Sequence, residues 1–453
     1  MDPLPLASVA QMAGAKILRG SGETVVSRVG KDTRTIQPSD LYVALRGENF
    51  DGNAFAAEAA SRGAAAVLVD TADAVAALPD GFPVLLADNG LAALTRLAAA
   101  WRTRLDLKVL CITGSNGKTT TKDFAAAILG TRFKLAKTEG NLNNHIGVPL
   151  SILAADSSHT AAVWEIGMNH PGEIAPLAAL ARPDAAIITN FGIAHIEYMK
   201  SRAAIAVEKG ALAEAVPPSG FVILPAGDSM TGGIAERCRA RVILTGLDAG
   251  DLTADSLTEG DDSCSFVLHV DGQSLDARIP SNGSHMVANA LHAIAAGIGF
   301  GLSPAQAVAG LASARLAGGR LERRTIRGIS ILDDSYNANP DSMIAALSTL
   351  RALPGSGHRI AVLGRMGELG EFAAEGYRQT GLAAGKYADI LVTVGAETAS
   401  MADAAREAGL GRIHEVEDTA SAARMLAQLA RPGDIILVKG SRSARMENVL
   451  EDF

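Results

Sequence analysis

The sequence predicts an α/β protein built from three domains, and three observations predict it. The first is length: 453 residues exceed what a single hydrophobic core organises and imply two to four domains. The second is alternation. In the middle of the chain, short β-rich runs and helical patterns follow one another, as in a parallel sheet with crossover helices. The third is a fresh strand–helix series that begins near Arg320. The expected boundaries are 1–86 for a small N-terminal α/β domain, 87–316 for a central phosphate-loop-type domain with a mostly parallel sheet, and 317–453 for a C-terminal domain.

Taken in order, the first block holds LYVAL (41–45) and AAAVLV (64–69), separated by Gly and Asn turns. The middle block alternates the strand-like runs KVLCIT, AAVWEIG, AAIITNF and GFVILPA with the helical patterns TTKDFAAAILG, GEIAPLAALA and AAIAVEKGALAEAV. CSFVLHVDGQSLDARI (264–279) reads as a hairpin on an Asp-Gly turn, an antiparallel extension. The last block runs ISILDD, a helix from Pro340, RIAVLG, DILVTVG and DIILVKG. Those spacings suit a doubly wound, Rossmann-like sheet.

Composition narrows the function classes. Hydrophobic residues make up 48% and charged residues 20%, ordinary for a folded soluble protein. Aromatics are 4% and the formal net charge is −8, which argues against general affinity for nucleic acid or anionic membrane. An anionic ligand is still compatible, because a local nest of backbone N–H groups outweighs a distant net charge. Cys111, Cys238 and Cys264 lack paired metal-ligand spacing, which suits a reducing compartment and buried thiols. The start MDPLPLASVAQMAGA has neither a basic beginning nor a long apolar run, and no membrane-spanning run is present. A cytoplasmic protein is expected.

The stretch ITGSNGKTTTKD (112–123) lies between the apolar run KVLC and FAAAILG. It is a shortened form of the phosphate-binding loop. Gly114 and Gly117 let the backbone approach phosphate oxygens, and the helix start favours negative charge. Ser115, Asn116 and Thr120 complete the loop, Lys118 supplies a point charge, and the Thr119 hydroxyl can ligate Mg²⁺. A plain glycine turn beside a chance lysine is the alternative, and strand-before, helix-after weighs against it. Glu165 ends an apolar strand, where an open α/β sheet has its crevice; it reads either as a solvated acid or as a metal ligand. His195 follows a strand in a Gly-containing loop and reads either as an ordinary hydrogen-bonding histidine or as a ligand. Lys209 sits among apolar residues on a helix. It either snorkels or, as a neutral amine, captures CO₂ as a carbamate and becomes a metal-binding anion. In LDDSYNANPDSM (332–343), capping accounts for Asn339, Pro340 and Asp341 but less well for Asp333, Asp334 and Tyr336. VKGSRSARME (438–447) is either a solvated basic loop or an anion clamp.

The ordered set GSNGKTT, EGNLNN, EIGMNHPGEI, TNFGIAHIE, EKGAL, HMVANALHA, GRLE, DDSYNANPDSM and VKGSRSARME, spread over essentially the whole chain, resembles the Mur ligases, ATP-dependent amide-forming enzymes of peptidoglycan precursor synthesis. Within that family EIGMNHPGEI, YNANPDSM, DTRTIQPSDLYVAL and RGENFDG point to the activity that adds D-alanyl-D-alanine to UDP-N-acetylmuramoyl-tripeptide; NPDS stands where the diaminopimelate-adding relative has a DNPR-type signature. The third residue of the acceptor, diaminopimelate or lysine, is left open.

The resemblance implies an acyl-phosphate mechanism with ATP and two Mg²⁺ ions. It gives Lys118, Lys209, His195 and Glu165 catalytic roles. Thr119 and Glu165 would hold one ion, and His195 with carbamylated Lys209 the second. Asn289, Arg320 and Asp334 match the adenine, phosphate and ribose contacts, and domain closure would bring them together. Asp32, Thr33, Arg34 and the stretch from Arg46 through Gly47 and Asn49 to Asn53 match the uridine-nucleotide end. Asn141, Asn143 and Asn144 match the tripeptide. Tyr336, Asn337, Asn339, Lys439, Ser441 and Arg442 fall in the C-terminal domain expected to take the dipeptide and close over ATP. The protein is expected to be a monomer. Two departures stand out: Arg365 replaces the usual acid in GRMGELG, and Met168 replaces a common small residue. A sister ligase of the same fold, including a folate polyglutamylating enzyme, and a phosphate-loop switch are the rival readings.

Overall fold

Runs of β-branched and aliphatic residues that leave no polar position form strands buried on both faces, and they do so here in a computed structural model describing residues 1–453. The chain divides into two compact units. One comprises Met1–Cys111, Phe133–Met168 and Glu173–Asp184, and the other Ile112–Arg132, Asn169–Gly172 and Ala185–Phe453. The division falls inside the strand Lys108–Thr113, immediately before the phosphate loop.

The first unit has a five-stranded sheet in the order Lys16–Arg19, Val84–Leu86, Ala66–Val69, Asp40–Val43, Arg28–Gly30, parallel except for the first pair. Tyr42, Val67, Val69 and Val84 pack with Ala56 and Ala59 into one core beneath it. Asn89 starts the helix Gly90–Arg102 by accepting a hydrogen bond from Ala92 N at 2.9 Å. Leu135–Lys137 pairs in parallel with Ala161–Glu165, the strand that delivers Glu165 at its C-terminal end.

The second unit carries two sheet systems. Ala185–Ile188, Phe221–Pro225 and Arg241–Thr245 run parallel, and Leu252–Glu259 continues into the hairpin Cys264–Val270 and Gln273–Ile279. That hairpin turns at Asp271 and Gly272, both at positive φ, as the Asp-Gly pair predicts. The later sheet has the order Glu322–Ile326, Ile329–Asp334, Ile435–Lys439, Arg359–Leu363, Ile390–Val394, Ile413–Val416. Only its first pair is antiparallel. Ile331, Val362, Val392, Ile436 and Val438 fill its core. The helix Pro340–Ala352 begins where the sequence places it, with proline in its first turn and a reciprocal cap between Asn339 and Ser342. No helix is long and apolar enough to cross a membrane. The strands Arg241–Thr245 and Ile413–Val416 had no counterpart in the sequence reading; the second is half-buried at a sheet edge, so its IHEV pattern lacks an apolar run.

Candidate active site

In the second unit, the phosphate loop is held from behind by the end of the Ala185–Ile188 strand. Ser115 N donates to Asn190 O at 3.1 Å, and Asn116 N donates to Asn190 Oδ1 at 3.0 Å. Asn190 Nδ2 returns a bond to Asn116 O at 3.0 Å, and the Thr189 hydroxyl donates to the same oxygen. His292 fixes Thr189 in turn: its Nε2 lies 3.1 Å from Thr189 O and its Nδ1 2.6 Å from Thr245 Oγ1. The carbonyl requires Nε2–H, and burial keeps the ring neutral, so Nδ1 accepts from the Thr245 hydroxyl.

Glycine is required at the loop. Gly114 and Gly117 have φ of 151° and 80°. A Cβ at Gly114 would overlap Thr189 Oγ1, and one at Gly117 would overlap Asn289 Oδ1. Lys118 opens the helix Lys118–Leu129, half-buried, and its Nζ rests on Gly114 O at 2.7 Å. Thr119 and Thr120 are buried in the first turn.

Lys209 sits on the helix Arg202–Glu214 and is 1% exposed, far more enclosed than a snorkelling lysine. Burial pushes its amine well below the ordinary lysine value, and the nearby charge of Lys118 pushes it further the same way. A neutral amine is the form that reacts with CO₂, so this environment suits carbamate formation. His195 lies at φ 63° with its Nδ1 2.5 Å from Glu368 Oε2, too bent for an aligned hydrogen bond but at ion-pair distance. A hard cation takes oxygen ligands: the buried Thr119 hydroxyl is one such group and a carbamate on Lys209 would be another, while the His195 imidazole would add a nitrogen.

The later sheet contributes its strand ends to the same unit. Asn339 and Asn116 exchange side-chain hydrogen bonds, with Asn339 Nδ2 to Asn116 Oδ1 at 2.8 Å and Asn116 Nδ2 to Asn339 Oδ1 at 3.3 Å. Asp341 Oδ2 accepts from Ile193 N at 3.0 Å, and a Cβ at Gly192 would overlap the same oxygen. Arg320 stacks over Tyr336, 4.1 Å from guanidinium carbon to ring centre. Asp334 takes Leu321 N at 3.2 Å and Lys439 Nζ at 2.6 Å. Burial raises the carboxyl of Asp334 and the Lys439 ammonium opposes that rise. Lys439 itself is 2% exposed and also donates to Asn337 O at 2.9 Å, so it braces the strand ends instead of facing solvent. Ser441 is buried with its N on Arg365 O at 2.8 Å, and exposed Arg442 pairs with Glu447 at 2.7 Å.

The remaining residues lie in the first unit. Glu165 is 2% exposed and accepts from Asn143 Nδ2 at 2.7 Å, while its own N donates to Thr138 Oγ1 at 3.0 Å. This is a buried, oriented carboxylate, as a metal ligand needs to be. Asn144 Oδ1 closes a local turn by accepting from Gly147 N at 2.9 Å, and Asn141 is exposed beside it. Arg34 and Asp32 pair at 2.6 Å, and the guanidinium holds the Asp32 carboxyl down at about 2; Thr33 is buried between them. Arg46 reaches Asp51 and Asp70, each at 2.9 Å, and Asn53 Nδ2 joins both acids. Gly47, Asn49 and Phe50 are exposed, and Phe50 stacks on Phe55 at 5.2 Å.

Sequence reasoning missed Asp70, Thr189, Asn190, Asp341 as a loop contact, and Glu368. A signal existed for Asp70, an acid ending the run AAAVLVD, and for Thr189 and Asn190, which end AAIITN.

Comparison with known proteins places this geometry. Three family models match in succession: the Mur ligase family catalytic domain over residues 25–101, the Mur ligase middle domain over 112–297, and the Mur ligase glutamate ligase domain over 319–442. The UDP-N-acetylmuramoyl-tripeptide–D-alanyl-D-alanine ligase of Bacillus subtilis (strain 168) is 37% identical over 434 residues, 95% of this chain and 94% of its own. The chain belongs to the Mur ligase family. Among solved structures of that family, MurF from Acinetobacter baumannii superposes with a TM-score of 0.90 at 31% identity, covering 100% of this chain and 99% of its own. MurF ligase from Thermotoga maritima in complex with ADP gives 0.83 at 26% identity, covering 94% and 97%. The three-domain α/β architecture expected from the sequence is the family's fold, and family members are ATP-dependent ligases.

Proposed function

We propose that the protein is an ATP-dependent amide ligase that adds D-alanyl-D-alanine to UDP-N-acetylmuramoyl-tripeptide in the cytoplasm. The products are the UDP-muramoyl-pentapeptide, ADP and phosphate, for peptidoglycan precursor synthesis. The observation that carries the substrate choice is identity at 37% over nearly the whole length with an enzyme of that name. The domains are read as 1–86 for the UDP-sugar, 87–316 for ATP and ligation, and 317–453 for the dipeptide.

The tripeptide's terminal carboxylate oxygen attacks the γ-phosphorus of ATP, and the bond from that phosphorus to ADP breaks. The dipeptide amine then attacks the acyl carbon, loses a proton, and phosphate departs. Two anions must approach for the first step, and like charges a few ångströms apart cost several kcal/mol unless neutralised. The amides of the loop from Gly114 to Thr119 and the start of its helix cradle the phosphates. Lys118, now resting on Gly114 O, has the reach to turn toward the transferred phosphoryl group. Asn289, Arg320 and Asp334 take the adenine, phosphate and ribose, with Lys439 bracing Asp334. Asn141, Asn143 and Asn144 serve the tripeptide, and Asp32 to Arg34 with Arg46, Gly47 and Asn49 serve the uridine nucleotide. Tyr336, Asn337, Asn339, Ser441 and Arg442 serve the dipeptide. Thr119 would offer a hydroxyl and Glu165 a carboxylate to Mg²⁺, and His195 with carbamylated Lys209 would hold an ion, supplying charge neutralisation when bound.

The test is product mass after mixing the protein, ATP, Mg²⁺, UDP-tripeptide and D-Ala-D-Ala. A gain of one dipeptide with release of phosphate is expected. Phosphate release without the dipeptide, or coupling of a single amino acid in its place, would replace this reading with a switch or a sister ligase.

A further inference from the structure

The turn GRMGELG (364–370) follows the strand Arg359–Leu363 and sends its two charged side chains in different directions. Arg365 reaches Glu397 at 3.7 Å. Glu368 reaches His195 Nδ1 at 2.5 Å, and its carbonyl also accepts from Glu197 N at 3.2 Å. Gly370 presses on the same segment, since a Cβ there would crowd the side chain of Glu197.

Both partners of the contact have left-handed backbone. His195 has φ of 63° and Glu368 of 58°, a conformation that costs a non-glycine residue of order 1–3 kcal/mol. Two such residues face each other across this contact, and the surrounding structure holds both backbones in place. A carboxylate oxygen and an imidazole nitrogen lone pair at that distance would repel, so Nδ1 carries a proton. In the neutral ring, the remaining lone pair is on Nε2.

We propose that Glu368 is a positioning residue for His195. It selects the Nδ1–H tautomer and orients the ring so that Nε2 is presented to a divalent cation at the ligation centre. A carboxylate behind a ligating histidine fixes tautomer and orientation and raises ligand basicity. Because Glu368 follows a strand of the C-terminal sheet and His195 follows a strand of the central series, cation affinity becomes sensitive to the docking of that turn. This inference rests on the reading of His195 as a metal ligand.

The experiment uses the full chain with a non-hydrolysable ATP analogue and Mn²⁺ as the probe, free Mn²⁺ being read by electron paramagnetic resonance. Glu368→Ala is expected to weaken Mn²⁺ binding by about 10- to 100-fold. Glu368→Gln, which keeps an oxygen facing Nδ1–H, is expected to retain most of the affinity. Without metal, ¹⁵N-histidine spectra of the unmutated protein, with His195 assigned by comparison with His195→Gln, should show protonated Nδ1 and unprotonated Nε2. Loss of Mn²⁺ affinity in His195→Ala but not in Glu368→Ala overturns the role of Glu368 alone. Unchanged affinity in both overturns the metal reading of His195. If Glu368→Ala fails to fold, the spectra decide: the opposite tautomer at His195 overturns the proposal.

Discussion

Lys118 and Lys209 are two lysines of one unit with opposite physical situations. Lys118 is half-buried over the carbonyl of Gly114, so removing its amine should leave the fold intact. Lys118→Ala is expected to lose at least the roughly 10²–10³-fold that removal of one preorganised electrostatic contact costs, with an unchanged circular dichroism spectrum. Near-normal turnover in that variant would remove Lys118 from the chemistry. Lys209 is enclosed, and its pKa is lowered by burial and then by Lys118. Below the unfolded lysine value of about 10.4 the unfolded chain holds a proton that the folded one resists. The amine is therefore a standing cost at neutral pH that fades as pH rises toward that value. In CO₂-free buffer at pH 7, Lys209→Met should melt no lower than the unmutated protein. Lys209→Ala should lose ligation, and added acetate should restore part of it by filling the carbamate's place. Full activity in Lys209→Ala without acetate would exclude the carbamate.

At the scale of elements, the loop is shaped by the pieces packed behind it as much as by its own glycines. The helix Ser284–Gly299 presents Asn289 against Gly117 and His292 against Thr189, and Thr189 holds the Asn116 carbonyl. Burial pushes the His292 imidazole down to about 4 from 6.5. A depressed histidine stabilises the fold fully above its unfolded value, and that contribution is lost as pH falls toward the folded value. Between pH 7 and pH 5 the unmutated protein should lose roughly 2 kcal/mol through this one group. His292→Gln, which cannot titrate, should show a correspondingly flatter profile in urea unfolding at the two pH values. Parallel loss in both proteins would mean that His292 is already protonated when folded.

Across the molecule, the C-terminal series meets the phosphate loop where Asn339 bonds Asn116, and meets the segment after the strand Ala185–Ile188 where Asp341 takes Ile193 N, Glu368 lies against His195 and the Glu368 carbonyl takes Glu197 N. Polar contacts of this kind can be exchanged when a domain moves during a catalytic cycle. Asp341→Ala removes one of them from the solvent-facing start of a helix without touching the core. It should speed hydrogen exchange at Ile193 and the residues around it, and raise the radius of gyration measured by small-angle scattering. An ATP analogue with acceptor should reverse the change. Identical exchange and scattering in Asp341→Ala would show that the contact holds nothing together.

The phosphate loop was legible from GSNGKTT alone, because a glycine turn closing onto a helix start depends on neighbours a few residues apart. The Asp271–Gly272 hairpin and the Asn339 cap were legible for the same reason, as was the alternation of apolar runs that forms the sheets. The sequence by itself therefore determined the class of fold, the loop and the order of its most apolar strands along the chain. It left Glu165, His195 and Lys209 each with two readings, since a residue type at a strand end or on a helix does not say what it faces. Tertiary structure decided that Lys209 is enclosed beside Lys118, that Lys439 braces Asp334, and that Asp70 shares Arg46 with Asp51. It alone joined Glu368 to His195 and His292 to Thr189. Those pairs come from separate strand ends and helices, and their proximity follows from how the sheets are ordered in space, which no short pattern of residues encodes.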